Sequence, residues 1–288
     1  MNVNPNFAAL ASRRMIFDTP ICDLGWSGTL SFVNDLVSMP AGQTVIAFLN
    51  ANNANYMMAD PEYRAALSHQ LVLPDGIGMD LASQVMHGDR FPANLNGTDF
   101  VPALLTYMES PKRIGLIGGR ANILAAAAAN FRAHAPWHHF IAVSDGFFDK
   151  NDSAAVIAEI ERHDLDILIV GMGTPIQEKW VRNNIRTEHA RLVVTVGALF
   201  DFVSGAVPRA PMVVRRLRLE WLYRMCQEPT RLWKRYMLGI PQFMSHVMRY
   251  RSGGRDVAVR PTVIRLSVTR SEVPAANAEQ ADRKALRR

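Results

Sequence analysis

Short apolar runs alternate along this chain with segments of helical periodicity. Residues 44–49, 71–73, 113–117, 140–143, 166–170 and 192–196 are continuous apolar stretches rich in Val, Ile and Leu. Runs of that kind mark strands covered on both faces, not half-exposed ones. Between them the pattern predicts helices from Asn50 to about Leu67, and over 79–87, 121–133 and 176–185. A further helix through Arg162 is predicted, with Asp152 as its cap. Ahead of the first long strand, 15–17 and 19–21 read as a short edge strand and turn, and 29–37 as a helix stopped by Pro40 and Gly42. Six apolar strands separated by helices predict an α/β fold: a Rossmann-like, mostly parallel sheet with helices on both faces.

In such a sheet every strand that runs the same way ends on the same rim, and ligands gather there. The residues that follow the predicted strands are Asn50, Asp75, Gly118-Gly119, Asp145-Gly146, Gly171–Thr174 and Gly197. Glycine and polar chemistry are thus concentrated in one crevice. Asp75 stands out because Pro74 stops its strand and Gly76 and Gly78 allow a sharp turn. A carboxylate there can approach a substrate hydroxyl and take its proton. It can equally form a side-chain turn or cap the following helix, and the local sequence alone leaves both open. Gly118-Gly119-Arg120 opens a helix after a strand, which suits phosphate binding by backbone N–H groups. It lacks the spaced-glycine fingerprint of a dinucleotide site. Asp164-Leu165-Asp166 has the form of a metal-binding pair, but it precedes its strand and so falls on the opposite rim. No metal site and no cofactor is expected.

Beyond residue 208 the pattern changes. Arg215, Arg216, Arg218, Arg224, Arg231, Lys234 and Arg235 interleave with Leu217, Trp221, Leu222, Met225, Trp233 and Met237 at helical spacing. An apolar stripe with tryptophans beside a basic face fits a helix lying on an anionic bilayer, and equally a packed helix with a solvated charged face. Charge sharpens the contrast. Residues 1–208 hold 14 Lys and Arg against 20 Asp and Glu, whereas 209–251 hold 10 against 2, within a chain of net charge +6. An acidic body carries a basic end, which points to an anionic partner. The reading is a catalytic domain over 1–208, a basic amphipathic appendage over 209–251 and a disordered tail over 252–288.

Composition excludes several classes. Two cysteines without ligand spacing, Cys22 and Cys226, make neither a disulfide scaffold nor a zinc site. No export signal and no stretch of spanning length is visible. A nicotinamide-dependent enzyme lacks its fingerprint, and the basic end shows no nucleic-acid-binding motif, so no nucleic acid is expected as partner. A membrane scaffold without chemistry would leave Asp75 silent.

Several motifs, in order, resemble the WecG/TagA/CpsF family of bacterial glycosyltransferases from about Ile46 to Tyr236. They are Leu73-Pro74-Asp75-Gly76-Ile77-Gly78, Asn96-Gly97-Thr98-Asp99, and Gly171-Met172-Gly173-Thr174-Pro175-Ile176-Gln177-Glu178. Val196-Gly197-Ala198-Leu199-Phe200-Asp201, Gly205, Arg209-Ala210-Pro211, Glu220-Trp221 and Glu228-Pro229-Thr230-Arg231 complete the set. The resemblance implies an inverting, metal-independent transfer from a UDP-sugar to a sugar on undecaprenyl diphosphate, at the cytoplasmic face of the bacterial inner membrane. Glucose, for an exopolysaccharide, is the favoured donor sugar; N-acetylmannosamine or its uronate is the alternative. Asp75 would be the general base. Asn50, Asn52, Asn96, Asp99, Gly118, Gly119, Gln177 and Asp201 would bind substrate. Arg209, Arg216, Arg224 and Arg231 would meet the lipid diphosphate and the membrane, and self-association through the appendage is a further expectation. Two departures bear on the donor. Asn50 replaces a common threonine, and Asn94 stands where many members have an arginine, with Arg90 as the nearest cation that could replace it.

Overall fold

The computed structural model describes residues 13–39, 42–211, 213–214 and 220–253, without the side chains of Arg13, Arg231 and Arg235. Arg216, the side chain of Arg231 and residues 254–288 of the tail expected over 252–288 therefore lie outside the described residues, whereas Ser252 ends a helix.

Among the described residues, eight strands form one sheet: β1 (Arg13–Ile16), β2 (Thr19–Cys22), β3 (Thr44–Leu49), β4 (Leu71–Pro74), β5 (Arg113–Gly118), β6 (His139–Ser144), β7 (Ile167–Gly171) and β8 (Leu192–Thr195). Their spatial order is β1-β2-β4-β3-β8-β7-β5-β6. All pairs are parallel except the β1–β2 hairpin at one edge. The six apolar runs are β3 to β8. Alternation along β3 explains the two covered faces: Ile46 and Phe48 join one core, Ala47 and Leu49 the other.

The helices are α1 (Trp26–Ser38), α2 (Ala51–Ala59), α3 (Pro61–Leu67), α4 (Ile77–His87), α5 (Gly97–Tyr107), α6 (Ala121–His134), α7 (Ala154–Arg162), α8 (Ile176–Asn184), α9 (Leu199–Val203), α10 (Glu220–Gln227), α11 (Pro229–Met237) and α12 (Gly239–Ser252). Three differences from the sequence reading have local causes. The helix expected to run to about Leu67 is two, because Pro61 disfavours a helical Asp60, which is extended at φ −123 and caps the second helix. Its carboxylate instead accepts from the Glu62 and Tyr63 N–H groups, both at 3.0 Å. Asp152 does not cap α7: Ser153 holds the cap position, and no side chain caps the helix. Finally, α5 was not expected; Asn96 starts it by accepting from the Asp99 N–H at 3.0 Å.

The basic C-terminal stretch divides into two kinds of helix. On α10 no described residue is buried. By contrast, α12 sends Phe243 and Val247, both at 0% exposure, into the core with Phe17, Ile21, Met57 and Met79. Phe243 meets Phe17 edge to face at 5.9 Å between ring centres. Each such burial is worth about 2–3 kcal/mol, so α12 is part of the α/β body. Among the described residues no helix is long and apolar enough to cross a membrane.

Candidate active site

The parallel register does what the sequence pattern required: the turns after β3, β4, β5, β6, β7 and β8 share one rim. A cavity of about 810 Å³ opens there, lined by Asn50, Asp75, Gly119, Gly146, the Gly171–Thr174 turn, Gly197 and Asp201. Glycines of the turns form part of its wall, beside side chains such as Tyr56, Lys150, Phe202 and Arg224. Gly118 shows why glycine is required: at φ +128 a side chain would lie 2.2 Å from the Gly171 carbonyl oxygen. The Gly119 N–H donates to that carbonyl at 3.1 Å, and the Gly119 carbonyl accepts from the Gly146 N–H at 2.8 Å. Gly118-Gly119 therefore stitches three strand ends together. The Gly119 amide, expected to meet a phosphate, is already engaged.

Gln177 is used in a similar way. Its Oε1 accepts from the Gly173 N–H at 3.2 Å and the Gly197 N–H at 3.0 Å, tying two turns of the rim. Its Nε2 donates to Glu178 Oε1 at 2.8 Å, and Thr174 Oγ1 donates to the same oxygen at 2.9 Å. Burial drives the Glu178 carboxyl upward from its ordinary pKa, against the pull of these donors. Gln177 thus borders the crevice while its amide shapes the crevice floor.

A second cavity of about 460 Å³ lies on the other side of Asp75. Ile77, Leu81, Trp221, Tyr236, Ile240, Phe243 and Met244 give it an apolar wall; Asn94, Asn96, Asp99 and Glu220 give it a polar edge. Asn50, Asn52, Asp75, Thr98, Phe202 and Arg224 line both cavities. Asp75 accordingly stands where the two meet.

The setting of Asp75 is built from its neighbours. Its N–H donates to the Leu49 carbonyl at 2.9 Å, fixing the end of β4 against β3. Gly76 follows at φ +84, a backbone state that a side chain would strain, and its N–H donates to Asn94 Oδ1 at 2.7 Å. Asn50 caps α2 through Oδ1, which accepts from the Asn53 N–H at 3.0 Å, and donates from Nδ2 to Asp75 Oδ2 at 3.2 Å. One asparagine both starts a helix and orients the carboxylate. Asn96 and Asp99 are tied to each other, Nδ2 to Oδ2 at 2.9 Å. Asp99 Oδ1 in turn accepts from Arg209 Nη2 at 2.8 Å.

The structure brings Asp75, Asn50, Asn52, Asn96, Asp99, Gly119, Gln177, Asp201 and Arg224 to the walls of these two cavities. Gly118 stands behind the wall, and Arg209 reaches it through Asp99. Arg90 is exposed, in neither lining, and its carbonyl accepts from Arg14 Nη1 at 3.0 Å. Among the described residues, the cation that lines both cavities is Arg224. Three further residues escaped the sequence reading. Lys150 lines the polar crevice, its Nζ donating to the carbonyls of Gly146 at 2.8 Å and Phe148 at 2.6 Å, and desolvation lowers its pKa. Phe202 carries the guanidinium groups of Arg209 and Arg224 at 5.5 and 5.0 Å from its ring. Tyr236 pairs with Trp221 at 5.4 Å. Only the Glu220-Trp221 motif signalled anything here, and it came without a role.

The model of the Glycosyl transferase WecG/TagA/CpsF family matches residues 14–257. The chain belongs to this family. Among curated WecG/TagA/CpsF-type proteins it is similar to the N-acetylglucosaminyldiphosphoundecaprenol N-acetyl-beta-D-mannosaminyltransferase of Bacillus subtilis (strain 168). The two are 31% identical over 219 residues, 75% of this chain and 84% of the relative. The protein of the same name from Bacillus spizizenii (strain ATCC 23059 / NRRL B-14472 / W23) is 30% identical over 225 residues, 76% and 86% of the two chains. This WecG/TagA/CpsF-family glycosyltransferase thus has a crevice of turns on one side of its central carboxylate and a cavity roofed by C-terminal helices on the other.

Proposed function

We propose that the chain transfers a sugar, with inversion, from a UDP-sugar to a sugar carried on undecaprenyl diphosphate. The observation that carries this is the membership of Asp75 in both linings. A donor nucleotide in the glycine-walled crevice and an acceptor in the apolar cavity would meet at that carboxylate. In the reaction Asp75 takes the proton of the acceptor hydroxyl, whose oxygen bonds to the anomeric carbon of the donor. The bond from that carbon to the diphosphate oxygen breaks, and UDP leaves with the electron pair. The growing charge on UDP faces Lys150 and Arg224, both in the lining of the crevice.

The names of the two relatives favour N-acetylmannosamine as donor sugar over the glucose expected from the sequence, and N-acetylglucosamine as the acceptor's sugar. Asn50 and Asn94 keep a different donor in play, because both brace the Asp75 turn at the donor's doorstep. Work at an anionic membrane face is supported by Trp233, Met237, Leu238 and Met248. These four are exposed at 44–59% beside Lys234, Arg249 and Arg251. The catalytic body plus a docking segment is thus a division within α10–α12 as well as at residue 208.

The test is UDP release by the purified chain with acceptor embedded in anionic vesicles, supplied in turn with UDP-N-acetylmannosamine, UDP-glucose and UDP-glucuronate. Acceptor-dependent release from one donor, the first being expected, identifies the reaction. Failure of all three, with UDP itself not bound, rejects the proposal.

A further inference from the structure

Buried hydrogen-bond donors without partners are rare in folded proteins, and each asks for an explanation. Among the described residues, the buried side-chain donors in that state are Tyr63 Oη and three nitrogens, Arg209 Nε, Trp221 Nε1 and Arg224 Nε. The three nitrogens are at one place, and Arg209 Nε there has the Glu220 carboxylate beside it as an ion-pair partner. Trp221 and Arg224 line the apolar-walled cavity, and Arg209 Nε faces Glu220 Oε1, on the polar edge of the same cavity, at 3.4 Å. Donors gathered at the wall of a cavity suit a ligand rich in oxygen.

The same edge supplies acceptors. Glu220 lies in the lining together with Asp99 and Asp75. Burial and the nearby carboxylates raise the pKa of Glu220 while Arg209 and Arg224 oppose the shift. Next to it, the indole of Trp221 and the ring of Tyr236 form a tilted aromatic pair, a surface suited to the C–H face of a pyranose. Indole donor, carboxylate acceptor and flat aromatic wall together satisfy what a sugar ring offers: ring hydroxyls that donate and accept, and an apolar face.

We propose that Trp221 and Glu220 form the subsite that recognises the sugar ring of the lipid-linked acceptor, Trp221 donating to a ring oxygen substituent and Glu220 accepting from a hydroxyl. This rests on the reading of Asp75 as the base between donor and acceptor cavities. Arg209 is then a positioning residue, holding Glu220 and Asp99 apart and in place from its two sides. The isoprenoid chain would continue past Leu81, Ile240 and Met244 on the apolar wall.

The experiment uses the full chain and its Trp221→Phe and Glu220→Gln variants. UDP release is measured against acceptor at saturating donor, then against donor at saturating acceptor, with UDP affinity followed by calorimetry. A site built to hydrogen-bond a hydroxyl rejects an analogue lacking it, so the KM for acceptor should rise about ten-fold or more in each variant. The KM for donor and the affinity for UDP should stay within about two-fold, because the glycine-walled crevice is untouched. Acceptors deoxygenated at single ring positions sharpen the result: one of them should lose activity with the wild type and lose no more with Trp221→Phe. An unchanged acceptor KM in both variants overturns the subsite, as does a rise in the donor KM instead. Should Trp221→Phe fail to fold, Glu220→Gln, which keeps the side-chain shape, decides by the same split. Asp75→Asn run in parallel separates the two levels. If it retains turnover, the reading of Asp75 fails; if it is dead while both subsite variants behave as wild type, only the subsite fails.

Discussion

The two cavities that meet at Asp75 are made of different material. The larger is framed by backbone, with six strand ends, glycines at positive φ and one glutamine amide that ties two turns, while Arg224 and Leu232 reach it from α10 and α11. The smaller is made from side chains contributed by segments far apart in the sequence, Ile77 and Leu81 from α4, Asn94 to Asp99 from the start of α5, and Trp221 to Met244 from α10–α12. A crevice of backbone turns follows from strand register and holds its shape as long as the sheet does. A cavity of side chains exists only when its helices are docked. The proposed nucleotide end should therefore be the more robust and the proposed acceptor end the more conditional.

The largest expected effect comes at the shared point. Asp75→Asn keeps size and the hold from Asn50 but cannot take a proton. Turnover should fall by about 10²–10⁴, with UDP affinity within a few-fold of wild type. Single-turnover kinetics and calorimetry read the two separately. Unchanged turnover would mean that the meeting of the cavities at this residue has no chemical significance.

Next in size is a change aimed at the conditional side. Phe243→Ala empties a site that is fully buried against Phe17 and also borders the proposed acceptor cavity. Such truncations cost about 3–5 kcal/mol, measurable by denaturant titration. At a denaturant concentration where this variant remains folded, acceptor affinity should fall further than UDP affinity; equal losses would erase the difference between the cavities. The same packing shows that a chain cut before Arg209 would lose Phe243 and Val247 along with the exposed helices. It would destabilise the body as well, and so would not report membrane docking alone.

The contrast also sets what could be read from the sequence. Strand runs such as 166–170 and the glycines after them are local signals, and parallel topology places their ends together without further information. The polar crevice was legible for that reason. Asn50 and Asp75 were legible as residue types at strand ends, though their mutual hydrogen bond was not. The proposed acceptor cavity was hidden because no local pattern tells that Met244 returns to line it together with Leu81. The burial of Phe243 was hidden too, since α12 carries Arg249 and Arg251 and resembles its exposed neighbours in composition. Gln177 illustrates a subtler loss: its position at the rim was correct, but where its amide points depends on Gly173 and Gly197, which only the fold brings together.

The smallest effect probes the robust side. Glu178 is buried, and its carboxyl holds a proton to higher pH in the folded chain than in the unfolded one. Where the folded state binds more protons, stability falls as pH rises. The wild type should thus be at its full stability, as far as this group is concerned, below its ordinary pKa of 4.5 and lose stability as pH climbs from there toward the folded value. Glu178→Gln cannot ionise, and its carbonyl can still accept from Gln177 and Thr174. The two proteins should be equally stable at acid pH. By pH 8 the variant should be the more stable, by about 1 kcal/mol, the order of one buried group relieved of its desolvation cost. Denaturant midpoints measured from pH 4 to pH 8 give the comparison directly. Parallel curves would show that the proton on Glu178 contributes nothing to the crevice, and that Gln177 is held in place by Gly173 and Gly197 alone.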